Sequence, residues 1–167
     1  TLGDMKCLKL GECEGSVQAM ESAIRLEPEN ELFHTGLGRV LLRLSRHDEA
    51  AEAFRKGAGL DSTSAAASNG LGQALAGSGR YAEAETHLLQ ALRLNPAYPE
   101  AHYNLSSVYL RQGKIEEGQQ QKAMFDRANA YFDAIRKSRM LLASNPNDPA
   151  AHYNMGTVYT KLGLPEK

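Results

Sequence analysis

Apolar residues recur along this chain in steps of three and four, the spacing of helices that bury one face. Between Ala65 and Ser78, the residues Leu71, Ala74 and Leu75 fall on one side of a helix. Between Tyr81 and Leu94, the residues Ala84, Leu88, Ala91 and Leu92 do the same. Gly79, between the two, suits a helix C-terminus because glycine tolerates positive φ. Asn95-Pro96 closes the second helix, since proline disfavours helical geometry in the residue before it. The pattern therefore predicts a hairpin of two helices.

That hairpin is one copy of a repeat. His34-Thr35-Gly36-Leu37-Gly38-Arg39-Val40-Leu41 aligns with Ser68-Asn69-Gly70-Leu71-Gly72-Gln73-Ala74-Leu75, and again with His102-Tyr103-Asn104-Leu105-Ser106-Ser107-Val108-Tyr109. Gly38, Gly72 and Ser106 are 34 residues apart, as are Ser45, Gly79 and Gly113, and Pro28, Ser62 and Pro96. Neither helix of a unit can bury its apolar stripe alone. Stacked neighbours supply the missing wall, so at least about three units are needed for stability.

At this period the chain resembles the tetratricopeptide-repeat family, whose units run Trp-x2-Leu-Gly-x2-Tyr, then Ala-x3-Phe, then Pro. Leu37-Gly38, Ala50 and Phe54 match in one unit, and Leu71-Gly72, Ala84, Leu88 and Pro96 in the next. Tyr109 and Tyr159 take the tyrosine place, while the tryptophan place holds His34, Ser68, His102 and His152. The resemblance implies an all-α fold, a right-handed α-solenoid of helix-turn-helix repeats. Its expected units are a partial one (1–28), complete ones at 31–64 and 65–98, one with a lengthened second helix (99–146), and a truncated one (149–167). In the leading unit Gly11 is expected at the turn, with Ser16, Met20, Ala23 and Ile24 on its second helix. At the other end Ala150–Gly163 reads as a first helix, and Leu164-Pro165-Glu166-Lys167 stops where its partner would begin. The chain starts at Thr1 with no charged-then-apolar leader, so it reads as an excised piece; the compartment is left open, with cytoplasm as the default.

One insertion breaks the rhythm. His152-Tyr153-Asn154-Met155-Gly156-Thr157-Val158-Tyr159 repeats the block at His102 after 50 residues, 16 more than the period. No Gly or Pro occurs from Gln119 to Ser144, acids Glu116 and Glu117 open the segment, and Arg136, Lys137 and Arg139 lie towards its end. That polarity suits a single helix macrodipole. One long helix over about 114–143 is expected, about 24 Å longer than its counterparts at 1.5 Å per residue. The final helix, about 149–162, is expected to fold back along its distal half. Phe125, Ala128, Phe132, Ile135 and Leu142 form a near-heptad stripe on the long helix. The stripe either packs within the chain or, through Phe125, Phe132, Ile135 and Leu142, forms an oligomer interface.

The resemblance also implies where a ligand sits: on the concave wall made by the first helix of each unit. Asn104 and Asn154 stand just before the family's Leu. The segment Glu100-Ala101-His102-Tyr103-Asn104-Leu105 is similar to the repeats of O-linked N-acetylglucosamine transferase, where asparagines in this place form a ladder along an extended peptide. A side-chain amide offers both donor and acceptor, so it can hold a backbone without reading sequence. Gly36 and Gly70 occupy the place in earlier units, so the ladder is partial, with Asn69 as a neighbour that could substitute. Tyr103 and Tyr153, apolar with a polar tip, and Arg39, Gln73 and Arg111 complete the expected peptide-binding set. The family's other mode, a carboxylate clamp for acidic C-termini, needs Lys, Asn and Arg at set places on three successive first helices, where this chain has Thr35, Arg39, Gly70, Glu100 and Asn104. Only Arg39 is basic there, and Glu100 has the wrong sign.

Composition narrows the remaining chemistry. With 167 residues, 42% hydrophobic and 23% charged, the chain is globular in kind. A net charge of -1 without a basic cluster argues against a nucleic-acid binder. No apolar run reaches the about 18 residues of a membrane span. Cys7 and Cys13 match neither a zinc ribbon nor a Cys-x-x-Cys redox pair. Gly36-Leu37-Gly38 and Gly70-Leu71-Gly72 imitate a dinucleotide fingerprint but follow no strand. His34, His102 and His152 recur with the unit, which does not converge them on a metal. No catalytic constellation, metal site or cofactor is expected. The chain reads as a non-enzymatic scaffold that binds an extended peptide or a partner helix; the alternatives are self-association through the long and terminal helices, or the substrate-selecting part of a larger enzyme.

Overall fold

The computed structural model describes residues 10–162, which fold into eight α-helices with no strand among them. They are α1 (Leu10–Leu26), α2 (Glu31–Arg43), α3 (His47–Leu60), α4 (Ala65–Gly77), α5 (Tyr81–Leu94), α6 (Pro99–Arg111), α7 (Ile115–Ser144) and α8 (Pro149–Leu162). The starts of α2, α4 and α6 are 34 residues apart, as are those of α3, α5 and α7. Each hairpin turn has one left-handed residue at the same place: Ser45 (φ 58°), Gly79 (77°) and Gly113 (78°). The Cys7 side chain, the Cys13 side chain and the segment 163–167 lie outside the described residues. Gly11, expected at a turn, lies inside α1 instead. An isolated glycine weakens a helix by only about 1 kcal/mol against alanine, too little to end one.

Stacking follows the period. Each of α2, α4 and α6 packs on the helix before and the helix after it, and α2 touches α4 as α4 touches α6. The second helices α3, α5 and α7 do not touch one another. First helices thus lie closer together than second helices, which curves the stack with α2, α4 and α6 on the inner side. A continuous core runs through these layers, with Phe54, Leu71, Leu75, Leu88, Leu105 and Val108 almost wholly buried. Phe54 is its pivot. A Cβ on Gly38 would come within 2.8 Å of the ring, and one on Gly70 would overlap it, so a ring from α3 is held between two glycine-bearing first helices.

The recurrent histidines have a packing role. His34, His102 and His152 each bond through Nε2 to the carbonyl of the proline six residues earlier, Pro28, Pro96 and Pro146, at 2.8, 3.0 and 2.8 Å. A carbonyl only accepts, so each ring donates from Nε2. The imidazole ties the inter-repeat loop to the helix it feeds.

The long helix is a single helix of 30 residues, about 45 Å at 1.5 Å per residue. Its proximal half pairs with α6: Ser106 Oγ donates to the Gly118 carbonyl at 2.7 Å, and Leu110 lies over Gly118. Its distal half pairs with α8 through a second, smaller core of Ile135, Val158 and Tyr159, backed by Tyr131, Ala134 and Met155. Arg139 Nη2 donates to the Tyr159 hydroxyl at 2.9 Å.

Candidate functional site: the inner wall

The loops that launch α2, α4 and α6 set the wall. Asn30 caps α2 by accepting from the Leu32 amide at 3.1 Å, and Ser64 caps α4 by accepting from the Ala67 amide at 3.2 Å. One period on, the capping position of α6 holds Tyr98, whose side chain does not cap. It reaches back across the stack, near the Asn69 side chain of α4. Asn69 is only 6% exposed, and its Oδ1 accepts from Asn104 Nδ2 of α6 at 3.0 Å. Burial, then Glu100, pushes the Tyr98 phenol above its usual range, while Arg39 and Asn69 act the other way. Three successive first helices thus place polar groups near enough to influence this phenol: Arg39 from α2, Asn69 from α4, and Glu100 from α6.

This differs from a row of free amides. Asn104 is half-buried and spends one amide N–H on Asn69; its Oδ1 and second N–H remain for a ligand. Arg39 and Gln73 are exposed at equivalent places on α2 and α4, and Arg111 is exposed at the end of α6. Asn154 is exposed on α8, but among the described helices α8 touches only α7, so the insertion carries it away from α6 and off the Asn69–Asn104 line. Tyr153 goes with it, 75% exposed. Tyr103 occupies the place of Asn69 one period on, and its ring stacks on Phe125 at 5.4 Å between centroids.

The long-helix stripe also divides. Ile135 is buried in the chain's own second core and is not available to a partner. Phe125 and Leu142 are half-buried, and Phe132 alone of the four is exposed. Tyr98 escaped sequence reasoning. The signal was present: positions 30, 64 and 98 share the period, and a tyrosine after Asn and Ser is out of pattern. Among the described residues no group of His, Cys, Asp or Glu could hold a metal ion, and no helix is long and apolar enough to cross a membrane.

Comparison with known proteins agrees with this geometry. A tetratricopeptide-repeat profile matches residues 8–67, and a TPR-repeat profile matches 73–113. The chain carries tetratricopeptide repeats. It is 37% identical over 79 residues to the TPR repeat-containing thioredoxin TTL4 of Arabidopsis thaliana, a match covering 47% of this chain and 12% of that protein. The crystal structure of MamA superposes with a TM-score of 0.67 at 25% identity, over 96% of this chain and 86% of MamA. MamA 41-end from Desulfovibrio magneticus RS-1 superposes at 0.66 with 18% identity, over 72% of this chain and 70% of that one. Both are likenesses of the helical stack. A tetratricopeptide array is a protein-binding scaffold, and this chain has that architecture.

Proposed function

We propose that the inner wall of α2, α4 and α6 binds an extended segment of a partner protein, without catalysis by the chain itself. The observation that carries this is the Asn69–Asn104 hydrogen bond on the wall, with Tyr98, Arg39 and Glu100 near Asn69 and Gln73 exposed on α4. The Asn104 Oδ1 and the phenol oxygen supply acceptors, while Arg39 and the Gln73 amide supply donors, the mixture that satisfies a peptide backbone. The similarity of the α6 segment to the asparagine-bearing repeats of O-linked N-acetylglucosamine transferase supports the same use, though through Asn104 and not through Asn154. With both signs present and a net charge of -1, the wall suits a polypeptide better than a nucleic-acid backbone.

The test is affinity capture with the wild-type chain beside an Arg39→Glu/Gln73→Ala variant. Both residues are exposed, so helicity and melting should be unchanged. Partners held by wild type and lost by the variant support the groove; identical partners on both baits would sink it.

A second reading, self-association, is favoured by Met140 and Leu141, exposed with Phe132 on the distal half of α7. Light scattering of wild type against Phe132→Glu/Met140→Glu decides it, since a strict wild-type monomer removes the reading. The likeness to a repeat-containing thioredoxin leaves room for a third, in which the array selects substrates for a catalytic domain of a longer chain.

A further inference from the structure

Each complete hairpin buries one side against the first helix of the next. On α2–α3 that side includes Thr35 and Phe54, with the His47 ring lying over Gly77 of α4. On α4–α5 the equivalent side includes Asn69, bonded to Asn104, and the fully buried Leu88. One period on, the same side of α6–α7 presents Tyr103, Leu110, Ile115 and Lys122, and no described helix of another hairpin covers it. Tyr103 is 51% exposed, Leu110 47% and Ile115 52%. The cause lies in residues 115–130. Without them Gly113-Lys114 would run straight into Tyr131-x-x-Ala134, matching Gly79-Arg80-Tyr81-x-x-Ala84. The insertion slides α8 along α7, so that α8 no longer reaches α6.

We infer that this face receives an amphipathic α-helix of a partner protein, lying where the next first helix would lie and parallel to α6. The occupant follows from continuity: twice in this chain the same face is covered by a helix in that orientation, and its apolar row here is still in place. The chemistry of the partner helix follows from Lys122. Phe54 and Leu88 hold this position in the earlier hairpins, and the slot opposite Phe54 is Gly70. Lys122 replaces an apolar wedge with an exposed cation, held on its own helix by Asp126 at 2.6 Å and by the Phe125 ring at 5.1 Å from its centroid. The partner helix therefore carries an acidic residue in that slot, flanked by apolar residues one turn away that meet Tyr103, Leu110 and Ile115. This surface is separate from the Arg39–Tyr98 groove and stands or falls without it.

The probe is a helix-stapled, fluorescent peptide with the sequence of residues 64–78, the helix that covers α2–α3, made as Gly70→Glu and as Gly70→Lys. Anisotropy with the full chain should show saturable binding of the Glu peptide and binding of the Lys peptide weaker by about tenfold, the size of one interfacial charge contact. Lys122→Glu in the chain should reverse that preference, and Tyr103→Glu should abolish binding of both. Arg39→Glu should leave both affinities as they are, which keeps a failure of the groove distinct from a failure here. A chain lacking 115–130 should bind neither peptide, because its own α8 then stacks on α6. Saturation that ignores Tyr103→Glu and Lys122→Glu, or no saturation at all, overturns the proposal. So does a wild-type dimer in light scattering that Tyr103→Glu dissolves, since a second copy would then be the occupant.

Discussion

Replacing Asn104 by alanine tests the inner wall at its best-defined contact. The substitution removes the 3.0 Å bond to Asn69, a kind of bond worth about 0.5–1.5 kcal/mol net. It also leaves Asn69 Oδ1 buried without a donor, at about 1–3 kcal/mol. The second figure already contains the first, so the expected loss is about 1–3 kcal/mol. Asn69→Ala removes the buried end. Its former partner, Asn104, is half-buried and can take up water, so the expected cost is smaller, about 1 kcal/mol. Once Asn69 is alanine, Asn104→Ala should cost almost nothing.

A double-mutant cycle by urea unfolding, followed by circular dichroism, should therefore return a coupling of about 1–3 kcal/mol. Contacting residues typically couple in this range, whereas independent sites add within about 0.5 kcal/mol. Additivity within that margin would refute the pairing. Asn104 would then be a free amide facing the groove, and loss of binding in Asn104→Ala could be read as loss of a ligand contact. With the coupling present, binding by that variant must be corrected for its stability, and Arg39 and Gln73 become the cleaner probes of the groove.

Gly70→Ala puts a methyl group into the Phe54 ring; overpacking of this kind costs about 1–3 kcal/mol. Thermal melting should show the loss, and Phe54→Leu should relieve part of it; a neutral Gly70→Ala would contradict the ring placement. Lys114 Nζ donates to Glu85 at 2.8 Å, and this bond is the main reason that the Glu85 carboxyl is held below its ordinary 4.5. A depressed carboxylate stabilises the fold above its unfolded pKa and loses that stabilisation as pH falls through the folded one. The stability gap between wild type and Glu85→Gln should therefore be full at neutral pH and close below 4.5; a gap that widens in acid would reverse the sign. Ile135→Ala should release α8 alone, because in a stacked array each element depends on its neighbours. Hydrogen exchange should speed across 149–162 while α2–α6 stay protected; uniform deprotection would mean the two cores unfold as one.

The elements themselves were readable because the period is strict. Tyr81–Leu94 and Pro149–Leu162 follow from apolar spacing and flanking Gly or Pro, and the missing turn chemistry from Gln119 to Ser144 foretold a continuous α7. Side-chain partners were less readable, since Asn69 and Asn104 meet across 35 residues through the rotation between hairpins. Reading Asn104 with Asn154 as one ladder treated the repeat as a sequence property. The wall is a property of contact, and sixteen inserted residues keep the motif of α8 while removing its contact with α6.

The residue before the family's leucine is governed by what the preceding second helix pushes against it. Gly36 faces the Met20 sulfur, where an added Cβ would come within 3.1 Å, and Gly70 faces the Phe54 ring. In the same register, 16 residues earlier, Leu88 precedes Asn104 and Ser138 precedes Asn154. As the earlier side chain shrinks from Met and Phe to Leu and Ser, the later one grows from Gly to Asn, as tight packing at nearly constant local volume requires. An amide appears on the wall only where the core behind it has left room. The amides available to a partner at this place are thus set by the packing of α3 and α5 as much as by any demand of the ligand, and one enters the groove at α6 because Leu88, unlike Phe54, permits a side chain there.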